Sequence, residues 1–257
     1  MPPHVITRQV TPDMSSCLLT HMERESIDTD AAAHQHARYV EVIESLGATV
    51  TVLPPLPDSP DAVFVEDTIH VTDHVAVMSR PNDPRRRAER ETMEAVIKEM
   101  RPVAHLTEPA KFEGGDVIRV GRQIYVGLSD RTDQVGIDQF EAIVGKYGYE
   151  VTAVDVTGCL HLKTAGTWIG GETILVNPAW CDTSAFKGLE VLAVDPSEPW
   201  AGNALFINGT VVLVEGFDRT RELVEATGRR VVTAPNSELA KAEGGLTCCS
   251  VIVDDPA

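Results

Sequence analysis

Four stretches of this 257-residue chain repeat one pattern, and a chain built in that way folds as an array of similar units rather than around one irregular core. The stretch VFVEDTIHVTDHVAVMSRP, residues 63–81, reads as strand, turn and strand. A helical stretch from Arg86 to Met100 and a strand from Val103 to Leu106 follow it. FEGGDVIRVGRQIYVGLS, residues 112–129, repeats the pattern, with a helix from Asp133 to Tyr147 and a strand from Glu150 to Val154. A third copy starts at HLKTAGTWIGGETILVNP, residues 161–178. A fourth starts at NALFINGTVVLVEGF, residues 203–217, with a helix from Thr220 to Thr227 and a strand from Arg230 to Thr233. Asp67 to Asp116 and Asp116 to Ala165 are steps of 49 residues each, and the later steps, to Asn203 and then to Cys249, are 38 and 46.

The unit is therefore β-β-α-β, which makes the fold class α/β. A fifth copy is incomplete, because TCCSVIV supplies one strand and the chain then stops at Ala257. Its missing parts stand at the other end, as Val5 to Val10, Thr29 to Leu46 and Thr49 to Leu53. Pairing the tail with the head closes a ring and removes the free strand edges that an open array would expose. The helix from Thr29 rests on Ala32, His36, Tyr39, Val40, Ile43 and Leu46 recurring at three and four, with Gly47 as its stop. The Pro-rich stretch LPPLPDSPD, residues 53–61, suits a rigid connection, so residues 1–257 are read as one domain. Residues 11–28 have no strong period and are read either as a lid or as an ordinary surface loop.

Composition excludes several roles. A net charge of -17 leaves no basic patch for nucleic acid, and serves solubility before it serves the steering of a cationic ligand. No apolar run is long enough to span a membrane, and the opening MPPHVITRQV contains no export signal. Five cysteines, at 17, 159, 181, 248 and 249, match no metal-ligand spacing and are odd in number, so a reducing cytoplasm is the expected location.

In a closed ring the residues that open each copy converge on the centre. That brings together Asp61, Asp67, Glu113, Asp116, His161, Asn203 and Cys248, which is the inventory for nucleophilic catalysis on a cationic carbon. Taken singly, Asp67 and Asp116 read as turn carboxylates, His161 as an interior histidine and Cys248 as core. Glu113 stands out because two glycines follow it. Cys249, as the next residue on a strand, would face away from Cys248.

The motifs PDAVFVED, FEGGD, LSDRT, LHLKT and GGLTCCS resemble those of the dimethylarginine dimethylaminohydrolases, in the guanidine-modifying (pentein) superfamily. The likeness runs from about residue 60 to the C-terminus. It implies a five-bladed α/β propeller with pseudo-fivefold symmetry, and hydrolysis of N-omega-methylated arginine to citrulline and dimethylamine or methylamine. It also implies Cys248 as the nucleophile, His161 as general acid and base, and Glu113 as the carboxylate that touches the guanidinium and orients the histidine. Asp67 would bind the guanidinium as well, Phe64 would line the substrate, and Asp61 with the Leu18 carbonyl would hold the α-amino group. Arg86, within a run of three arginines that leaves its register open by one, and Arg131 would hold the carboxylate. No cofactor and no metal are implied, although thiol-binding metals such as zinc would block Cys248 and His161. The partner is a small guanidino amino acid, and pairing of two chains through an outer face is compatible with the resemblance.

Three other readings compete. An arginine deiminase would release ammonia, but such enzymes look longer, with an inserted helical domain for which this chain has no room. An amidinotransferase would need a second, acceptor pocket. A non-catalytic propeller that binds a macromolecule would have no reason to place Cys248, His161 and Glu113 at the openings of three different units.

Overall fold

The computed structural model describes residues 2–81 and 83–254, with the backbone but not the side chain of Arg87. The chain runs β1 (His4–Arg8), α1 (Thr29–Ser45), β2 (Thr49–Leu53), β3 (Ile69–Val71), β4 (Ala76–Met78), α2 (Arg87–Ile97) and β5 (Val103–His105). It continues through β6 (Val117–Val120), β7 (Gln123–Leu128), α3 (Gln134–Val144), β8 (Glu150–Asp155), α4 (Leu162–Ala165), β9 (Gly166–Trp168), β10 (Thr173–Val176) and β11 (Glu190–Ala193). The last elements are β12 (Leu205–Ile207), β13 (Thr210–Val214), α5 (Asp218–Ala226), β14 (Arg230–Ala234), α6 (Ser237–Ala240) and β15 (Val251–Val253).

These strands form five three-stranded sheets of one design. In each, the inner strand pairs antiparallel with the middle one, and the middle one pairs parallel with the outer. A parallel neighbour needs a long crossover, which is where the helices come in. The fifth sheet joins the two ends of the chain as the repeat requires: β15 lies against β1, with His4 opposite Val253 and Ile6 opposite Val251.

Local chemistry fixes the helix ends. Asp28 accepts from the Ala31 N–H at 3.0 Å and Asp133 from the Gly136 N–H at 2.8 Å, so both cap the first turn of a helix. Ala32, His36, Tyr39 and Ile43 form the buried stripe of α1, whereas Val40 and Leu46 are only half-buried at its edge. The third copy departs from the repeat. Between β10 and β11 the chain makes a single 3₁₀ turn at Thr183–Ala185, because Pro178, the Asp182 turn and the left-handed Gly188 break up the segment. Phe186, edge-on to Tyr125 at 5.0 Å, helps cover the sheet in place of a helix.

A second departure matters more for the site. The residues that open the copies do not start strands; they sit on tight turns at Val65–Thr68, Gly114–Asp116, α4 and Thr247–Cys249. The stretch TCCSVIV becomes a strand only at Val251. Two of these turns touch backbone to backbone: a Cβ on Gly114 would come 2.1 Å from the Glu66 carbonyl oxygen. The inner strands β3, β6, β9, β12 and β15 all line one cavity of about 560 Å³. No helix among the described residues is long and apolar enough to cross a membrane.

Candidate active site

The turns place their side chains around a second, smaller cavity of about 20 Å³, room for roughly one water. All nine residues expected from the sequence line it: Leu18, Asp61, Phe64, Asp67, Arg86, Glu113, Arg131, His161 and Cys248. Two others named for convergence lie behind it. Asp116 accepts from Ser129 Oγ, Thr132 Oγ1 and the Leu162 N–H, so it braces the loop of Arg131 and the turn after His161. Asn203 accepts from the Thr247 N–H at 3.1 Å and braces the turn of Cys248.

The centre is a buried charge cluster. His161 Nε2 donates to Glu113 Oε2 at 2.8 Å, which leaves Nδ1 on the side of Asp67, 3.9 Å from its Oδ1. Burial disfavours the charged imidazole, but Asp67, Asp116 and Glu113 outweigh it and push the His161 pKa up to about 9. Burial would raise Glu113, yet the hydrogen bond from His161, its charge, and the charges of Arg86 and Arg131 hold it well below the usual carboxylate range. The Cys248 thiol goes the other way: burial, then the charges of Asp67 and Glu66, push it well above its ordinary value. At neutral pH the imidazole is therefore charged and the thiol protonated.

No hydrogen-bond donor among the described residues reaches the buried Oδ1 of Asp67. A buried carboxylate oxygen left without a donor costs on the order of 1–3 kcal/mol, a penalty that a cationic N–H donor would relieve. One ligand atom each from Asp67, Glu113 and His161 lies within 4.8 Å of the others, so the carboxylates converge on one small volume beside the thiol.

The floor was not legible in the sequence. Glu66 pairs with Lys163 and accepts from Thr247 Oγ1 at 2.8 Å, while Asn203 Nδ2 donates to the Lys163 carbonyl at 3.0 Å. Each of three turns thus gives one residue to the site and a near neighbour to the larger cavity: Asp67 and Glu66, His161 and Lys163, Cys248 and Thr247. Cys249 stays out of the cavity lining, but on a 3₁₀ turn and not by the strand alternation expected of it, and its thiol lies 3.7 Å from the Gly245 carbonyl.

Arg86 is placed differently from the expectation of a ready carboxylate binder. It is buried, its Nη1 donates to Asp67 Oδ2 at 2.8 Å, and its Nε and Nη2 donate to Glu89. Nη2 also reaches the carbonyls of Asp61 and Phe64, so all three nitrogens are engaged. Glu89, one helical turn on, was missed; its signal was only an i,i+3 acid–base spacing. Burial pushes the Glu89 pKa up to about 6, against the pull of Arg86. Arg85 is exposed and paired with Asp83, and the Arg87 side chain lies outside the described residues. Also missed were Leu160, Ala242, Glu243 and Gly244, which complete the lining.

Gly115 makes the cluster possible. A Cβ there would sit 2.8 Å from His161 Nδ1 and 2.9 Å from Asp67 Oδ1. Gly115→Ala should push the two apart, lowering stability by about 1–3 kcal/mol and bringing the histidine down from about 9 toward its ordinary value. Thermal unfolding and NMR titration of the imidazole test this, and an unchanged His161 titration would show that the neighbours give way freely.

Comparison with known proteins points to one family. The family model described as N,N dimethylarginine dimethylhydrolase, eukaryotic, matches residues 4–183. The N(G),N(G)-dimethylarginine dimethylaminohydrolase of Pseudomonas aeruginosa is 32% identical over 87% of this chain and 89% of its own. The protein of the same name from Streptomyces coelicolor is 33% identical over 96% of this chain and 95% of its own. Among solved structures, a serine-for-cysteine mutant of the Pseudomonas aeruginosa enzyme complexed with citrulline superposes with a TM-score of 0.93 at 30% identity, covering 98% of this chain and all of that one.

Proposed function

This chain belongs to the dimethylarginine dimethylaminohydrolase family, and from that premise we infer how its residues perform the reaction. It is an amidine hydrolase that converts dimethylarginine to citrulline by cysteine chemistry, and it takes a small guanidino amino acid. The observation that carries the assignment of roles is the buried, donor-less oxygen of Asp67 beside Cys248 and the Glu113–His161 pair.

The guanidinium of the substrate donates to Asp67 and Glu113 through charge-assisted hydrogen bonds. Burial first, and then the charges of Asp67 and Glu66, hold the Cys248 thiol protonated; the positive charge of the substrate offsets those carboxylates, the thiol gives its proton to solvent, and the thiolate forms where the electrophile sits. The thiolate attacks the guanidinium carbon, the C–N bond to the methylated nitrogen breaks, and His161 delivers its proton to the departing amine. The product is a cationic S-alkylthiouronium and a neutral imidazole. That imidazole then takes a proton from water as the water attacks the same carbon. Collapse of the hydroxyl adduct expels the thiolate, the hydroxyl proton passes to sulfur, and citrulline is left with the thiol and the imidazolium both restored.

Asp61 holds the α-amino group together with the Leu18 carbonyl, and Phe64 packs on the side-chain methylenes. Arg131 receives the carboxylate, with Arg86 behind it neutralising Asp67 and Glu89 as well. No cofactor or metal enters this scheme. The five sheets form a closed five-bladed α/β propeller, one catalytic domain over residues 1–257; the β15–β1 pairing and the cavity shared by the five inner strands support this. A cytoplasmic setting suits the five free, buried cysteines.

The test is to measure citrulline and amine from asymmetric dimethylarginine, monomethylarginine and arginine side by side. Equimolar citrulline and dimethylamine from the first substrate is the expected result. Ammonia from arginine alone would make the protein a deiminase, and silence with all three would remove the enzymatic reading.

A further inference from the structure

One contact over the site has no part in the chemistry above. The N–H groups of Thr20, His21 and Met22 converge on the carboxylate of Glu243, at 3.0, 2.5 and 2.7 Å. Three successive backbone donors around one anion form a concave nest whose partial charges add. The same stretch is stapled again further along, where Lys241 Nζ donates to the Ser26 carbonyl at 3.2 Å and Glu238 accepts from the Asp28 N–H at 2.9 Å.

Glu243 stands five residues before Cys248 and holds a left-handed φ of 60°, a conformation that a non-glycine residue keeps only where its surroundings impose it. The residues between leave no slack. A Cβ on Gly244 would come 2.1 Å from the Phe64 ring, and one on Gly245 would come 2.3 Å from the Asn203 amide carbon. The position of residues 20–22 and the position of the thiol are therefore mechanically linked.

The covering segment also occupies recognition groups. The Leu18 N–H donates to both Asp61 oxygens, at 3.1 and 3.2 Å, and Arg131 Nη2 donates to Thr20 Oγ1 at 2.7 Å. Asp61 and Arg131 are the groups assigned above to the α-amino and carboxylate ends of the substrate, and the cavity of about 20 Å³ is far too small to admit it as it stands.

We propose that Glu243 is a positioning residue, a latch that ties residues 20–22 to the stretch bearing Cys248. Substrate displaces Leu18 from Asp61 and Thr20 from Arg131, and the Glu243 contacts then hold the segment shut over it. The identity of the substrate rests on the reading above; the latch itself does not. A carboxylate is needed, because glutamine keeps the length but offers one acceptor oxygen and turns an NH₂ group toward backbone donors.

The experiment compares wild type with Glu243→Gln and Glu243→Asp in two assays. With asymmetric dimethylarginine, Glu243→Gln should raise KM about tenfold or more, the scale of lost charge-assisted hydrogen bonds, with kcat within about threefold. Without substrate, alkylation of Cys248 by iodoacetamide at one fixed pH, located by peptide mass mapping, should be about tenfold faster, because closure that covers a thiol only 6% exposed now opens more often. Glu243→Asp, which keeps the charge, should fall between. Unchanged KM and alkylation would overturn the proposal, as would equal losses in kcat and kcat/KM with unchanged alkylation. If wild type turned over no methylarginine, the functional reading would fall while the alkylation rates still decided the latch.

Discussion

Replacing Cys248 by serine is expected to lower citrulline formation from asymmetric dimethylarginine by at least about a thousandfold, with the fold intact. The electrostatics of the site explain so large an effect. No neutral base stands ready to take a proton from the residue at 248: the His161 pKa lies up at about 9, and its Nε2 is committed to Glu113. Burial, and then the carboxylates of Asp67 and Glu66, oppose any anion at this position. A thiol overcomes that opposition when a bound guanidinium offsets those charges, because a thiol ionises far more readily than a hydroxyl. The serine variant should therefore bind substrate and stall. Acid-quenched wild type should carry a covalent adduct of the mass of an S-alkylthiouronium, and the variant none. Cys249→Ser is the matched control. Its thiol faces the Gly245 carbonyl, away from the cavity, and activity should change by no more than a few-fold. Retention of a tenth of the activity in Cys248→Ser, or its loss in Cys249→Ser, would reverse the assignment of the two cysteines.

The repeat brings the two cysteines to the centre but its steps end on Cys249, so the choice of Cys248 as nucleophile came from the family resemblance of GGLTCCS. Counting 49 residues from Asp67 to Asp116 and again to Ala165 places the openings of separate units at the same height, and the side chains there at one centre. Periodicity gives that much because every copy must bury the same faces. The turns themselves were not legible, because a GGD or TCC triplet tightens into a 3₁₀ turn only where another backbone presses against it, as the Glu66 carbonyl does at Gly114. The missing helix of the third copy shows the same limit: the short step of 38 residues signalled a deletion without saying which element was lost. The occupation of Arg86 and the Glu243 latch depend on burial and on partners far along the chain, Asp67 in one case and residues 20–22 in the other. Local pattern has no access to such pairings. Their only traces were an acid three residues after an arginine, and an acid in front of two glycines.

Glu113→Gln is expected to cost about 10²–10⁴-fold in kcat, and to do so through His161. The amide is nearly the same shape, so binding of the α-amino group at Asp61 should survive, while Arg131, whose Nη1 lies 3.4 Å from Glu113 Oε1, loses an ion-pair partner. Two things change at the imidazole. The charge that helps keep it protonated is gone, and the neutral amide no longer fixes which nitrogen carries the proton. With burial then less opposed, the histidine should titrate well below its wild-type value of about 9. At neutral pH fewer molecules could protonate the leaving amine, and fewer would aim Nδ1 at it.

The pH dependence of stability gives an independent reading, because the sign is fixed by linkage. In wild type the folded value lies above the unfolded one of about 6.5. The stabilisation from the imidazolium is therefore complete below about 6.5 and is lost as pH rises through about 9. Thermal unfolding followed across that window should show the wild-type advantage over Glu113→Gln shrinking toward its alkaline end. A variant that kept the high His161 titration, or lost as much stability at pH 9 as at pH 6, would mean that Asp67 and Asp116 alone hold the proton and that Glu113 serves the guanidinium instead.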